Sequence, residues 1–536
     1  MRELHADVAI IGGGLGGVAA ALAALGRGKR VILSEEHAWL GGQLTSQAVP
    51  PDEHIWVEQF GVTARYRALR EGIRDHYRAF YPLTEAARRD LRLNPGLGRV
   101  SRLCHEPRVA VAVIEQQLAP HLSSGRLTVL QPYVPAAAAV AEDVVSSVTL
   151  RHVHDGTAVR VSAPFVLDAT ETGELLPLTG TEYVAGAEAR TDTGEPSAPE
   201  QADPGNLQAI SWCFVFDHVE GADFTIERPE GYDYWRDYAP AFWGDRLLSF
   251  TAPQPRTLEP ESRTLHVNPP YGAERAEQGD PREDPGDLDL WEFRRIIARQ
   301  NFQPGAYDSD IVVANWPMLD YLDGSVFDDP DAEAHRAAAK ELSRSYLYWL
   351  QTEAPRPDGG QGWPGLRPRG DQTGTEDGFA QAPYIRESRR IRAVTTVVEQ
   401  DISVSHRGHA GPATFPDSVG IGMYRIDLHP STGGDNYIDV ECAPFEIPLG
   451  ALVPVRTRNL IPAAKNIGTT HITNGAYRLH PVEWNIGESA GELASFCIDE
   501  STLPRHVLSD PGLRQRFQSR LVESGIELHW PEILGY

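Results

Sequence analysis

The stretch "DVAIIGGGLGGVAAALAALGRGKRVILSEE", Asp7 to Glu36, decides the fold. It reads as strand, tight turn, helix and second strand. Asp7 to Ile11 is a short apolar run of strand type, and Gly12, Gly14 and Gly17 satisfy GxGxxG where that strand must turn into a helix. The first glycine permits the turn and the second lets a pyrophosphate approach the backbone. The third allows the helix to pack closely on the strand. Leu15 falls in the first helical turn, whose backbone N–H groups face a bound phosphate. Gly26 and Gly28 end the helix, and Arg30 to Ser34 forms the second strand. Glu35 follows 23 residues after Gly12, with Glu36 beside it. A carboxylate at that place accepts hydrogen bonds from both ribose hydroxyls of an adenosine and repels a 2′-phosphate. The unit is an α/β dinucleotide-binding one.

At 536 residues the chain is long enough for two or more domains. Its net charge of −26 argues against nucleic acid and anionic membranes as partners. Cys104, Cys213, Cys442 and Cys497 are isolated, so neither a redox dithiol nor a cysteine-rich metal site is expected. No signal peptide is visible, and apolar runs fall short of the 18 or so residues of a membrane helix. A soluble cytoplasmic protein is expected.

Further along, residues 55–81 and 106–121 read as helices, and 144–151 and 158–168 as a small β-meander. Residues 268–288 and 353–383, rich in Pro, Gly and Asp, read as surface loops. Asp329-Pro330 starts a helix that runs through about Gln351. "YIRESRRIRAVTTVVEQDI" (384–402) is arginine-dense and runs into an apolar strand. Arg386 and Arg389 are candidates for binding an anionic or carbonyl-bearing substrate by bidentate contacts, and salt bridges across a domain interface are the alternative. Near the end, "NLIPAAKNIGTTHITNGAYRLHPVEWNIGESAG" reads as strand, loop and helix. Pro481 suits the first turn of that helix, which carries Asn485.

Five segments resemble one family: the glycine turn at 7–36, "LGGQLTSQ", "LDATETGELLPLTG", "YIRESRRI" and the C-terminal motif just quoted. In order and spacing they are similar to FAD-dependent oxidoreductases of the glutathione-reductase-like superfamily. The nearest branch is a bacterial group related to succinate dehydrogenase and fumarate reductase flavoproteins. The resemblance implies FAD as cofactor and a discontinuous Rossmann-type FAD-binding domain over 1–185 and 446–500. It implies an inserted α+β substrate domain over 186–445, with a C-terminal helical extension over 501–536. It places Gly42, Gln43 and Leu44 near the flavin and Asn466 near the ribityl chain. Ala464 stands where the family usually has glycine before the Lys465 position.

Hydride transfer to a flavin leaves negative charge around N1 and the C2 carbonyl, and a helix N-terminus stabilises it. The helix beginning at Pro481 is the candidate. His480 and His471, both expected in the loop before it, are candidate general bases, and Arg478 a candidate for polarising a substrate oxygen. Without a second strand–GxGxxG–helix or a CxxC, the expected reaction is that of a dehydrogenase or oxidase. A small organic substrate reduces FAD, and O₂ or a separate acceptor reoxidises it. The alternatives are a flavin monooxygenase, whose GD-type motif is not found, and a non-redox lyase or isomerase. A flavin-dependent RNA-modifying protein is disfavoured by the negative charge.

Overall fold

The computed structural model describes residues 1–270, 289–408 and 411–531. Part of the expected 268–288 loop therefore lies outside the described residues. A five-stranded parallel sheet organises the nucleotide end. Its order is Leu460–Pro462, β8 (Phe165–Asp168), β2 (Val8–Ile11), β3 (Val31–Ser34) and β4 (Leu127–Leu130). Val8 pairs with Val31 on one side and Phe165 on the other. The central strands are continuous apolar runs buried on both faces, as inner strands of a parallel sheet require. The last strand comes from a segment nearly 300 residues after β8, so distant parts of the chain complete one sheet.

Helix α1 (Leu15–Gly26) covers this sheet and packs along the His480–Asp499 helix. Small residues let the two backbones touch. A Cβ on Gly16 would overlap the Ala463 carbonyl oxygen, and one on Gly491 would overlap that of Ala20. A second sheet orders β1 (Arg2–His5), β7 (Ala158–Ser162), β6 (Val144–His152) and β5 (Tyr133–Ala141). β5, β6 and β7 form the expected meander, while 165–168 crosses into the parallel sheet.

A third sheet, of Arg295–Ile297, Ile311–Ala314, Phe214–His218 and Leu366–Pro368, is antiparallel. Phe214, Phe216, Trp291 and Trp316 pack edge to face or tilted behind it, each ring contributing on the order of 2 kcal/mol by burial. Residues 353–383 correct the loop expectation. They supply an edge strand of this sheet and bury Trp363, Phe379 and Ala380. Their Pro and Gly content hid aromatics that anchor the segment. The helix expected from residue 55 starts at Ala64, where the Thr63 side chain accepts the Tyr66 N–H. The strand expected after the arginine-rich run shrinks to Arg390–Ile391, because ion pairs rather than a ladder hold that segment. Among the described residues no helix is long and apolar enough to cross a membrane.

Candidate functional site

Gly12 holds a φ of +100°, and a Cβ there would strike the Ala169 carbonyl. The chain then enters α1 at Gly14, where no side chain caps the helix although Gly14 and Leu15 are buried. Gly17 closes the packing, since its Cβ would overlap the Gly12 oxygen. Glu35 stands at the end of β3 as expected. Its Oε2 accepts the Gly13 N–H at 2.9 Å, and its Oε1 accepts the His37 N–H at 2.8 Å. A carboxylate has lone pairs left after these bonds. Burial works against a charged His37, and Glu35 at 2.9 Å outweighs it, raising the imidazole above its ordinary value. Glu36 beside it is half-buried.

The Gly42–Leu44 turn lies against α1, entirely buried, with Gly41 at a φ of +109° and Gly42 at +49°. Gln43 Nε2 donates to the Arg478 carbonyl at 3.0 Å and to Glu483. Glu483, in the first turn of the His480–Asp499 helix beside Pro481, also accepts the Gly16 N–H at 3.3 Å. Lys465 reaches Glu483 at 3.4 Å and pairs with Glu171, which lies against Gly14 and Gly42. Burial works against that ammonium, and the two carboxylates keep it protonated. Asn466 Nδ2 donates to the Asp168 carbonyl at 3.0 Å, tying the last strand's loop to β8. Asn485 faces the other way and clamps its helix to Val419 and Ile421.

These residues fit a dinucleotide. The N-terminus of α1 is buried and its N-cap residue Gly14 has no side chain, which suits phosphate oxygens, with the Gly16 N–H already given to Glu483. Gln43 Oε1, both amide atoms of Gln47 and Glu171 Oε1 are buried with no protein partner, and such groups call for a polar ligand.

Beyond Gln43 lies a cluster of buried polar side chains. Arg478 Nη1 donates to Tyr384 Oη at 2.9 Å, and Nη2 to the Asp427 carbonyl at 3.0 Å, while Nε has no partner. The Tyr384 ring carries two guanidinium groups, with Arg386 Cζ 5.0 Å and Arg478 Cζ 6.0 Å from its centroid. Arg386 Nη2 continues to Ser211 Oγ at 3.0 Å and Asp320 Oδ1 at 3.2 Å. Asp320 Oδ2 meets His429 Nδ1 at 2.6 Å. Elsewhere in the cluster the Asp52 N–H donates to His480 Nδ1 at 3.1 Å, with Arg294 Nη2 3.6 Å from the Asp52 carboxylate. Burial raises Asp52 above the usual carboxylate range. Burial, with His105 and Arg294 nearby, drives His480 well below the ordinary imidazole value.

Of the residues read from sequence, Arg478, His480 and Arg386 meet here. His471 is the first residue of the His471–Tyr477 helix and His480 the first of the next, so neither lies in a preceding loop. His471 Nδ1 pairs with Glu387 at 2.9 Å, which outweighs burial and keeps the imidazole above its ordinary value. Arg389 spends its guanidinium on Asp328, at 3.0 and 2.7 Å, and on the Thr172 carbonyl at 2.8 Å. Sequence reading missed Asp52, Arg294, Asp320, Tyr384, Asp427 and His429. The alternation in "RIDLH" was the available signal, since His429 directly follows the Ile426–Leu428 strand two residues after Asp427. The cations and the phenol suit a substrate oxygen, and the neutral imidazoles suit proton transfer.

No curated protein sequence matches the chain. Among solved structures, a geranylgeranyl bacteriochlorophyll reductase-like protein of Thermoplasma acidophilum is 11% identical, over 98% of this chain and 85% of its own, with a TM-score of 0.33. L-proline dehydrogenase from P. horikoshii is 16% identical over 34% of this chain and 24% of its own, with a TM-score of 0.18. p-Nitrophenol 4-monooxygenase from Pseudomonas putida is 14% identical over 41% and 47%, with a TM-score of 0.22. The chain spans between about a quarter and about half the length of the solved structures it first matches. The sequence model described as FAD dependent oxidoreductase matches residues 7–521. The chain belongs to this family of FAD-dependent oxidoreductases: it is an enzyme, and its cofactor is FAD.

Proposed function

We propose that the chain is a dehydrogenase or oxidase that oxidises a small organic alcohol, amine or enolisable carbonyl compound. The order of its motifs supports a place among glutathione-reductase-like flavoproteins, near the succinate dehydrogenase group. One observation carries the reading: Arg478 serves both halves of the site. Its carbonyl accepts the Gln43 side chain of the cofactor segment, and its guanidinium joins the polar cluster through Tyr384 and Asp427 with Nε unpartnered. Bound FAD supplies a two-electron acceptor, restored by O₂ or a separate carrier. Gly12, Gly14, Gly17 and the α1 N-terminus hold its diphosphate, and Glu35 its adenosine ribose. Gln43 and Asn466 stand on the ribityl and flavin side.

In the polar cluster, Arg478 and Tyr384 hold the substrate oxygen and stabilise negative charge as its proton leaves. His480 is a positioning residue, since its Nδ1 fixes the Asp52 backbone at the helix start. His471 and Arg389 brace the surrounding loops through Glu387 and Asp328.

The test is anaerobic mixing of the FAD-loaded enzyme with alcohols, amines and enolisable carbonyl compounds. A true substrate bleaches the flavin absorbance. If only NAD(P)H bleaches it, the chain is a reductase or monooxygenase and the proposal falls.

A further inference from the structure

We propose that His429, held by Asp320, is the proton acceptor for the substrate. The inference rests on the dehydrogenase or oxidase reading and deepens it.

Four observations carry it. First, His429 Nδ1 lies 2.6 Å from Asp320 Oδ2, so the carboxylate fixes the proton on Nδ1 and leaves the Nε2 lone pair as the basic end. Second, Asp320 is itself locked, with Ser211 Oγ at 2.7 Å and Arg386 Nη2 at 3.2 Å. Burial works to raise Asp320, but Arg386 and His429 outweigh it and keep it ionised. Third, among the described residues no hydrogen-bond partner reaches His429 Nε2, and the side chain stays 17% accessible although protein surrounds it. The imidazole is therefore partly open on the side away from Asp320. Fourth, His429 lies two residues after Asp427, at the end of the Ile426–Leu428 strand. Asp427 grips Arg478, the proposed oxygen-polarising group. The proton acceptor and the oxygen holder thus flank the same space.

His480 and His471 lack this geometry. His480 Nδ1 is taken by the Asp52 N–H, and His471 is held on Glu387.

The step balances as follows. The substrate H–X–C–H loses its X–H proton to His429 Nε2, forming an N–H bond as X–H breaks. FAD, which the family carries, would supply the two-electron acceptor for the hydrogen on carbon. The substrate becomes C=X, oxidised by two electrons, and Asp320 balances the imidazolium charge. The charged groups around the ring are Arg386, Asp320, Asp427 and Asp52, with the Tyr437 ring 5.2 Å away. Burial and then Arg386 lower the imidazole, while Asp320 and Asp427 pull upward, so the net position is below the ordinary value. The base is therefore unprotonated at neutral pH.

The experiment uses the full-length holoenzyme. Stopped-flow flavin reduction by a substrate that bleaches the wild type is compared with His429→Asn, His429→Ala and Asp320→Asn. We expect His429→Asn to slow reduction by about 100-fold or more with FAD content unchanged. Added imidazole should partly restore His429→Ala. Asp320→Asn should move the acid limb of the rate profile to lower pH, because the carboxylate that raises the imidazole is gone. A wild-type rate in His429→Asn overturns the proposal, and so does a slow His429→Ala that imidazole fails to rescue. Histidine-selective ¹⁵N NMR gives an independent reading, with His429 assigned by its absence in His429→Asn. The neutral ring must carry its proton on Nδ1. A proton on Nε2, or a cation at pH 8, overturns the assignment even if no tested compound bleaches the flavin, an outcome that would count against the proposed reaction itself.

Discussion

Gly487 and Gly16 meet across two helices so closely that a Cβ on Gly487 would overlap the Gly16 carbonyl oxygen. This contact sets the His480–Asp499 helix against the first turn of α1. It thereby brings Glu483 to the Gly16 N–H beside the glycine turn.

Gly487→Ala is therefore expected to destabilise the protein by about 1–3 kcal/mol, the usual cost of overpacking a tight interface. Thermal unfolding should show a midpoint several degrees lower, with weaker FAD retention. Gly205→Ala, which keeps an ordinary φ and meets only the Asp203 carboxylate at 3.4 Å, should shift the midpoint far less. Equal midpoints for the two variants would remove the helix contact as the reason for this glycine.

Glu35→Gln keeps the size of the side chain but removes the charge behind its hydrogen bonds. A charge-assisted bond to a ribose hydroxyl exceeds a neutral one by roughly 1 kcal/mol, so the FAD Kd should rise about fivefold. Fluorescence titration of the apoprotein with FAD measures it. An unchanged Kd would mean that Gly13 and His37 use the carboxylate fully.

Arg478→Met should retain FAD while lowering the substrate-driven reduction rate by about 100-fold, the scale of losing one donor to a developing oxyanion. Arg478→Lys should recover only part of that rate, because one ammonium cannot serve Tyr384, Asp427 and substrate together. Rates equal to the wild type in both variants would exclude Arg478 from the chemistry.

Burial lowers both His54 and His105 to about 4. Between pH 6.5 and 4 the unfolded chain binds these protons and the folded one does not, so stability rises with pH across that window. The stabilisation is fully present above 6.5 and lost as pH falls to about 4. His105 alone accounts for on the order of 3 kcal/mol. Urea unfolding midpoints should fall over this range, and His105→Gln should flatten the slope. An identical slope in the variant would count against a neutral buried His105.

The glycine turn was legible because its chemistry is local. Gly12, Gly14, Gly17 and Glu35 sit within one strand–helix–strand unit, where spacing alone dictates position. Arg389 and His471 show the limit of that reading. Their charges were visible, but Asp328 and Glu387, which take them up, come from separate places in the sequence. Residues 353–383 erred for a related reason: composition reports the turns and is silent on where Trp363 and Phe379 pack.

The sequence by itself determined the parallel α/β nucleotide unit, the Glu35 carboxylate at the end of its second strand and the small-residue helix that closes on it. Periodicity and turn chemistry act over a few residues, so these survive without a partner in view. Only the tertiary structure decided which polar side chains meet. Asp320 and His429 are 109 residues apart, and Gln43 meets the Arg478 carbonyl across 435. Such pairs form when separate sheets bury their polar groups against one another, because an unpaired buried donor or acceptor costs on the order of 1–3 kcal/mol.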